Sequence, residues 1–170
     1  NLVKLQLMTD QLKKAQELVK LAQYDEALVI VNRLIVAHQK ITQNKIVIDK
    51  STWEIYITAL NIKADIYRLT DIINIAQEIV EKALDLALNH LGEVHQQTGK
   101  SYSILGILNN NNANYSEAIM LHNKALSIRQ QLYNCPHIEI ATSLMNIGTC
   151  YDYMEKVNDA IIFHEKTLDH

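Results

Sequence analysis

Apolar residues along this chain recur at helical spacing, and the pattern repeats itself. The segment "NYSEAIMLHNKALSI" (114–128) aligns with "KVNDAIIFHEKTLDH" (156–170) at an offset of 42 residues. Ala118, Ile119, His122, Lys124 and Leu126 then fall on Ala160, Ile161, His164, Lys166 and Leu168. The match continues upstream, where "SYSILG" ends at Gly106 and "SLMNIG" ends at Gly148. One further step back places "EKALDL" (81–86) over "NKALSI" (123–128) and puts Ala64 at the glycine position. A fourth copy, "AQYDEALVIVNRLI" (22–35), matches through Tyr24 and Ala27, with seven extra residues between it and the next copy. A repeat of this length is the signature of a stacked array of small supersecondary units.

Each unit reads as two helices joined by a tight turn. Asp25, Asn74, Ser116 and Asn158 stand before the second helix, and all four are residue types that accept a hydrogen bond from an unpaired helical N–H. Apolar residues precede them (Tyr24, Ile73, Tyr115, Val157), and in three copies another follows four positions after the cap (Val29, Met120, Ile162). That spacing predicts a hydrophobic staple. Small residues recur in the first helix (Ala15, Ala64, Gly106, Gly148) and in the second (Ala27, Ala76, Ala118, Ala160). Glycine inside a helix costs about 1 kcal/mol against alanine, so its use at one repeat position predicts a neighbouring group in the space of the missing Cβ. Ile46, Ile48 and residues 52–57 have β-branched character but lead into the helical pattern of Leu60, Ala64 and Tyr67. The asparagine run Asn109–Asn112 reads as a helix end, since asparagine tolerates left-handed backbone. The fold class is all-α.

The small residue, the aromatic three positions later (Tyr67, Tyr151), the apolar turn residue and the alanine three after it resemble the tetratricopeptide repeat. With a 42-residue period and "KALDLALNHLGEVH" (82–95), the chain is most similar to the longer repeats of kinesin light chains and nephrocystin-like proteins. The resemblance covers nearly the whole chain and is strongest over residues 60–170. Lys14 and Lys63 depart from it, standing where Leu105 and Ile147 stand, and Asn109 replaces the aromatic. The family implies an α-solenoid of helix-turn-helix repeats forming a right-handed superhelix, with approximate repeats at 8–41, 57–90, 99–132 and 141–170. The last is incomplete, which predicts further repeats on a longer parent chain.

In that family the first helix of each pair lines a concave groove. Carried over by repeat position, the lining is Lys13 and Gln16, then Asn61, Asp65 and Arg68, then Lys100, Ser103, Ile104, Ile107 and Asn110, then Met145, Asn146, Thr149, Asp152 and Tyr153. Asn146 matches the groove asparagine of the kinesin light chain pattern. Such a wall suits an extended or helical peptide, whose backbone pairs with side-chain amides. The implied function is a protein-interaction module that binds a peptide segment of a partner protein. Two alternatives stay open: a bacterial-type receptor for short signalling peptides with its effector domain elsewhere, and a scaffold that uses surfaces outside the groove. The carboxylate clamp of heat-shock cochaperones is not matched. Its positions hold Leu12, Gln16, Ile62, Lys100 and Ile104, of which only Lys100 fits, and Asp65 would repel a carboxylate.

Composition narrows the partners. A net charge of −3 gives no electrostatic reason for nucleic acid or an anionic membrane. The most apolar run, 27–37, is broken by Asn32 and Arg33 and is far short of a membrane span. Cys135 and Cys150 fit neither a disulfide framework nor a zinc spacing, and predict reduced thiols in a cytoplasm-like compartment. No phosphate-cradling glycine loop or nucleophile elbow is present, and His90 and His95 lack the i, i+4 spacing of a helical metal pair. His122 and His164 share a repeat position, which points to packing. The expectation is a non-enzyme without cofactor or metal, binding a protein or peptide, with exposed array ends able to self-associate.

Overall fold

The computed structural model describes residues 2–43 and 48–169. Ile46 and His170, both used in the reading above, lie outside the described residues. Eight helices run in order: α1 (Leu2–Lys20), α2 (Tyr24–Gln43), α3 (Lys50–Leu69), α4 (Ile73–His90), α5 (Gln96–Asn111), α6 (Tyr115–Leu132), α7 (Ile138–Tyr153) and α8 (Val157–Leu168). No strand occurs among the described residues. The chain divides into two compact units, unit 1 over Asn1–Leu91 and unit 2 over Gly92–His170, and each holds two helical hairpins.

One turn closes all four hairpins. Ala22, Asp71, Ala113 and Glu155 adopt left-handed backbone, with φ of 57°, 62°, 60° and 57°. In the first, Ala22 N–H donates to Val19 O at 3.0 Å and Gln23 N–H to Leu18 O at 2.9 Å. The same pair of bonds recurs at Asp71 and Ile72, at Ala113 and Asn114, and at Glu155 and Lys156. This is the Schellman arrangement, which satisfies two carbonyls left open at a helix end. The position usually falls to glycine, yet none of the four is glycine. In the asparagine run the left-handed residue is the following Ala113, not an asparagine.

The turn moves the helix starts from the places read in the sequence. The second helices begin at Tyr24, Ile73, Tyr115 and Val157. Asp25, Asn74, Ser116 and Asn158 therefore lie inside the first turn and are not caps. Ile72, Asn114 and Lys156 occupy the cap positions of α4, α6 and α8 without a side-chain capping bond. Val29, Met120 and Ile162, the residues expected to close a staple, are about half exposed. Side-chain caps are found instead on three of the leading helices. Asp49 Oδ1 accepts from Thr52 N–H at 2.7 Å. His95 Nδ1 and His137 Nδ1 accept from Gln97 N–H and Glu139 N–H, both at 3.1 Å.

Within unit 1, α3 packs on both α1 and α2, and α4 packs on α3. Its core joins Met8, Leu12 and Leu18 of α1 to Val31, Leu34 and Ile35 of α2 and to Ile55, Leu60 and Ile66 of α3. Within unit 2, Leu126 of α6 packs with Ile140, Leu144 and Ile147 of α7. Each such side chain contributes about 1.5–3 kcal/mol on burial. The recurring alanines are at most 1% exposed, as close helix packing requires. In unit 2 the glycines carry out the role expected of them. A Cβ on Gly106 would stand 2.6 Å from His122 Cε1, and one on Gly148 would stand 2.7 Å from His164 Cε1. The imidazoles fill the space left by the absent side chains.

Candidate functional site

The predicted lining divides between the two units. In unit 1, Lys13 and Gln16 are exposed on α1, whereas Asn61 on α3 is only 1% exposed. Asp65 and Arg68, one helical turn apart, engage each other. Arg68 Nη2 lies 2.8 Å and Nε 2.9 Å from Asp65 Oδ1. The repulsion expected of Asp65 toward an incoming carboxylate is thus largely neutralised by its own neighbour.

In unit 2 the lining residues stand on α5 and α7, which touch directly. On α5, Lys100, Ile107 and Asn110 are half-buried, Ser103 is buried and Ile104 belongs to the core. On α7, Met145 and Tyr153 are exposed, and Asn146 and Thr149 are half-buried. Several of these polar groups already have partners. Thr149 Oγ1 donates back to Met145 O at 2.9 Å, and Asp152 Oδ2 lies 2.8 Å from His164 Nε2. The Tyr153 ring stacks on Tyr115 at 5.7 Å.

Two amides differ from the rest. Asn110 Oδ1 and Asn146 Nδ2 are shielded from solvent and have no hydrogen-bond partner. A buried polar atom left in that state costs about 1–3 kcal/mol. One atom is an acceptor and the other a donor, the two kinds of group that an extended backbone complements with its N–H and C=O.

The histidines have structural places. His122 is 1% exposed over Gly106, with Nδ1 unpartnered. Burial, reinforced by the Arg129 charge, holds it neutral by lowering its pKa to about 4. In unit 1, His38 stacks on Tyr56 at 3.9 Å and lies 4.6 Å from Trp53, which in turn stacks on His90 at 3.7 Å. Burial, with His90 and Lys82 nearby, lowers the His38 pKa to about 4 as well. Burial also raises the Cys150 thiol to about 11. No group of three or more His, Cys, Asp or Glu residues among those described could hold a metal ion. No helix among them is long and apolar enough to cross a membrane.

Sequence reasoning missed one buried charge. Arg129 on α6 is 4% exposed, donates to Ser143 Oγ at 2.6 Å and pairs with Glu139 Oε2 at 2.7 Å. The equivalent position one copy back is Ala87, so repeat position carried no signal for it.

Residues 105–170 match the tetratricopeptide repeat family model. No curated protein sequence matches the chain. Among solved structures, BtubC (BKLC) from P. vanneervenii superposes with a TM-score of 0.72 at 19% identity, covering 95% of this chain. The match takes in 61% of BtubC, so the chain spans less than two thirds of that protein. A kinesin light chain-type protein of P. anserina with nearly identical repeats gives a TM-score of 0.70 at 17% identity, over 94% of this chain and 72% of that one. At such identities the shared property is the fold. Four hairpins closed by one turn, the family match over the third and fourth, and these neighbours agree: residues 105–170 match tetratricopeptide repeats, and the chain has the fold of kinesin light chain-like repeat proteins.

Proposed function

We propose that the chain binds a peptide segment of a partner protein, held against the leading helices, with α5 and α7 of unit 2 supplying the backbone contacts. Tetratricopeptide repeats mediate protein–protein interaction, and proteins of this type are typically non-catalytic scaffolds. The observation that carries the finer reading is the pair of unpartnered amide atoms, Asn110 Oδ1 and Asn146 Nδ2. A site that keeps desolvated polar groups unpaired in the free protein gains the full hydrogen-bond energy when a ligand arrives. Ile107 and Met145 beside them supply apolar contact, as expected for a wall that seats alternate side chains of an extended peptide.

The reading separates binding from stability. Peptides selected by phage display against the immobilised chain provide a probe, and fluorescence polarisation of the synthesised peptide gives its Kd. Asn110→Ala and Asn146→Ala should each weaken binding about tenfold, the equivalent of one ordinary hydrogen bond. Neither should lower the melting temperature, because neither atom has a partner to lose. Selected peptides that bind the double variant as tightly as the parent would place the contact surface elsewhere and favour the scaffold alternative. Peptides ending in a free carboxylate are expected to gain nothing over amidated ones, since the clamp positions Leu12, Ile62 and Ile104 are buried apolar residues.

A further inference from the structure

The solvent-facing side of α2 carries charge that the chain itself does not answer. Between Ala27 and Gln43 the helix has two cations, Arg33 and Lys40, and no acidic residue, although the chain as a whole holds 19 acids and a net charge of −3. The remaining titratable group of the segment, His38, is buried and kept neutral. Arg33 and Lys40 are exposed, and neither forms an ion pair among the described residues. Apolar side chains lie between them. Val29 is 50% and Val36 47% exposed, and with Asn32, Arg33, Ala37 and Lys40 they line an open depression of about 470 Å³. It is the furrow between two side-chain rows that each step by four residues, one through Val29, Arg33 and Ala37, the other through Asn32, Val36 and Lys40. Asn32 Oδ1 is already engaged, accepting from Lys63 Nζ at 2.8 Å, which leaves the guanidinium and the ammonium as the charges facing outward.

This exposure does not depend on where the chain begins. α6 belongs to the third hairpin, with a hairpin before it and another after it, and it presents the same repeat positions to solvent. Met120, Lys124, Ser127 and Gln131, the equivalents of Val29, Arg33, Val36 and Lys40, are all exposed. Serine and glutamine there remove the second apolar residue and the second cation, so the combination belongs to α2. A furrow between rows of four-residue step receives the i, i+3 ridge of another helix at a crossing of about 20°. Arg33 and Lys40 are two turns apart, about 10.5 Å along the axis. At so shallow a crossing the partner runs alongside for both turns, and carboxylates at its positions i and i+7 meet the two cations. We propose that this face of α2 docks an acidic amphipathic helix of a partner protein, with its apolar ridge on Val29, Val36 and Ala37 and its carboxylates on Arg33 and Lys40. The apolar contact supplies affinity, and the charges select the partner and speed its approach. The surface is distinct from the wall that holds Asn110 and Asn146, which stand on leading helices of unit 2.

A synthetic helix serves as the probe. It is about 18 residues of alanine and glutamine with glutamates at i and i+7 and leucines at i+3 and i+4, labelled for fluorescence polarisation. The chain should bind it at least about tenfold more tightly than a scrambled peptide of the same composition and charge. Arg33→Glu combined with Lys40→Glu should weaken binding by at least about tenfold and turn the preference toward a probe with lysines in place of the glutamates. Both positions are exposed, so far-UV circular dichroism should be unchanged. Asn110→Ala combined with Asn146→Ala should bind the probe as the parent does, which keeps this contact separate from the peptide wall. No binding up to millimolar chain, equal binding of the scrambled peptide, or equal binding by the charge-reversed variant overturns the proposal. So does a chain that ignores the probe yet binds vesicles of phosphatidylserine and phosphatidylcholine through Arg33 and Lys40, because the face then meets a membrane and not a helix.

Discussion

The pairing of a missing Cβ with a buried imidazole can be tested by filling the space. In Gly106→Ala the new methyl would lie 2.6 Å from His122 Cε1 and 2.8 Å from both ring nitrogens. These atoms belong to a rigid ring that is 1% exposed, so the ring has no solvent to retreat into. Overpacking of this kind costs about 1–3 kcal/mol. Alanine offsets part of it, since it is better than glycine in a helix by about 1 kcal/mol. Contact below 3 Å at three atoms of one ring puts the clash near the top of its range, for a net loss of about 1–2 kcal/mol. The chain also contains the compensated solution. At the equivalent positions of unit 1 stand Ala64 with Val80, both 0% exposed. Converting the third repeat to the second, Gly106→Ala with His122→Val, should therefore recover most of the loss. Urea denaturation of all four members, followed by far-UV circular dichroism at neutral pH, gives the cycle, and the expected coupling is about 1–3 kcal/mol in favour of the double variant. If Gly106→Ala is equally costly beside valine and beside histidine, the imidazole is not what the glycine accommodates, and the packing argument fails.

Two other consequences concern buried polar groups. His38 and His122 hold pKa values of about 4 in the fold against 6.5 for the free side chain. The unfolded chain takes up these protons first, so their contribution is intact above pH 6.5 and is lost as pH falls toward 4, by about 3 kcal/mol per histidine. Urea midpoints across that window should fall with pH, and His122→Val should remove its own share of the slope; an unchanged slope would contradict the assignment. Ser143→Ala removes a 2.6 Å acceptor from the buried Arg129 guanidinium and should destabilise the chain by about 2 kcal/mol in the same assay, whereas no loss would show that Glu139 alone suffices.

The architecture was legible because a solenoid repeats its core. The recurring alanines and glycines are each forced by an adjacent helix, so the same small residue returns at the same offset. The caps were misread for a related reason. A polar residue near a helix start is a general signal, but here the Schellman turn closes each hairpin with backbone bonds alone. It admits alanine, aspartate or glutamate at the left-handed position, and leaves Asp25, Asn74, Ser116 and Asn158 as the second residue of each helix, inside its first turn. Composition does not show which residue will take positive φ when glycine is absent. Arg129 was invisible because its partners Ser143 and Glu139 come from the next hairpin, and no local pattern connects them.

The candidate site was legible to a lesser depth, and the reason is physical. Repeat position says which helix face a residue occupies, but not how its polar atoms are used. Arg68, Asn110 and Asp152 hold the same position in successive copies. Arg68 closes on Asp65 and Asp152 on His164, while Asn110 keeps an atom unpaired. The difference arises one helical turn away or on the neighbouring helix. Asp65 offers Arg68 a carboxylate, and His164 offers Asp152 a ring nitrogen with solvent access. A charged group at this position acquires an internal partner, whereas a neutral amide can remain unpaired at a cost the fold tolerates. Binding capacity in such an array is therefore expected where the repeats place neutral amides without local partners. That makes Asn110 and Asn146, and not the charged residues of the wall, the pair on which peptide affinity should depend.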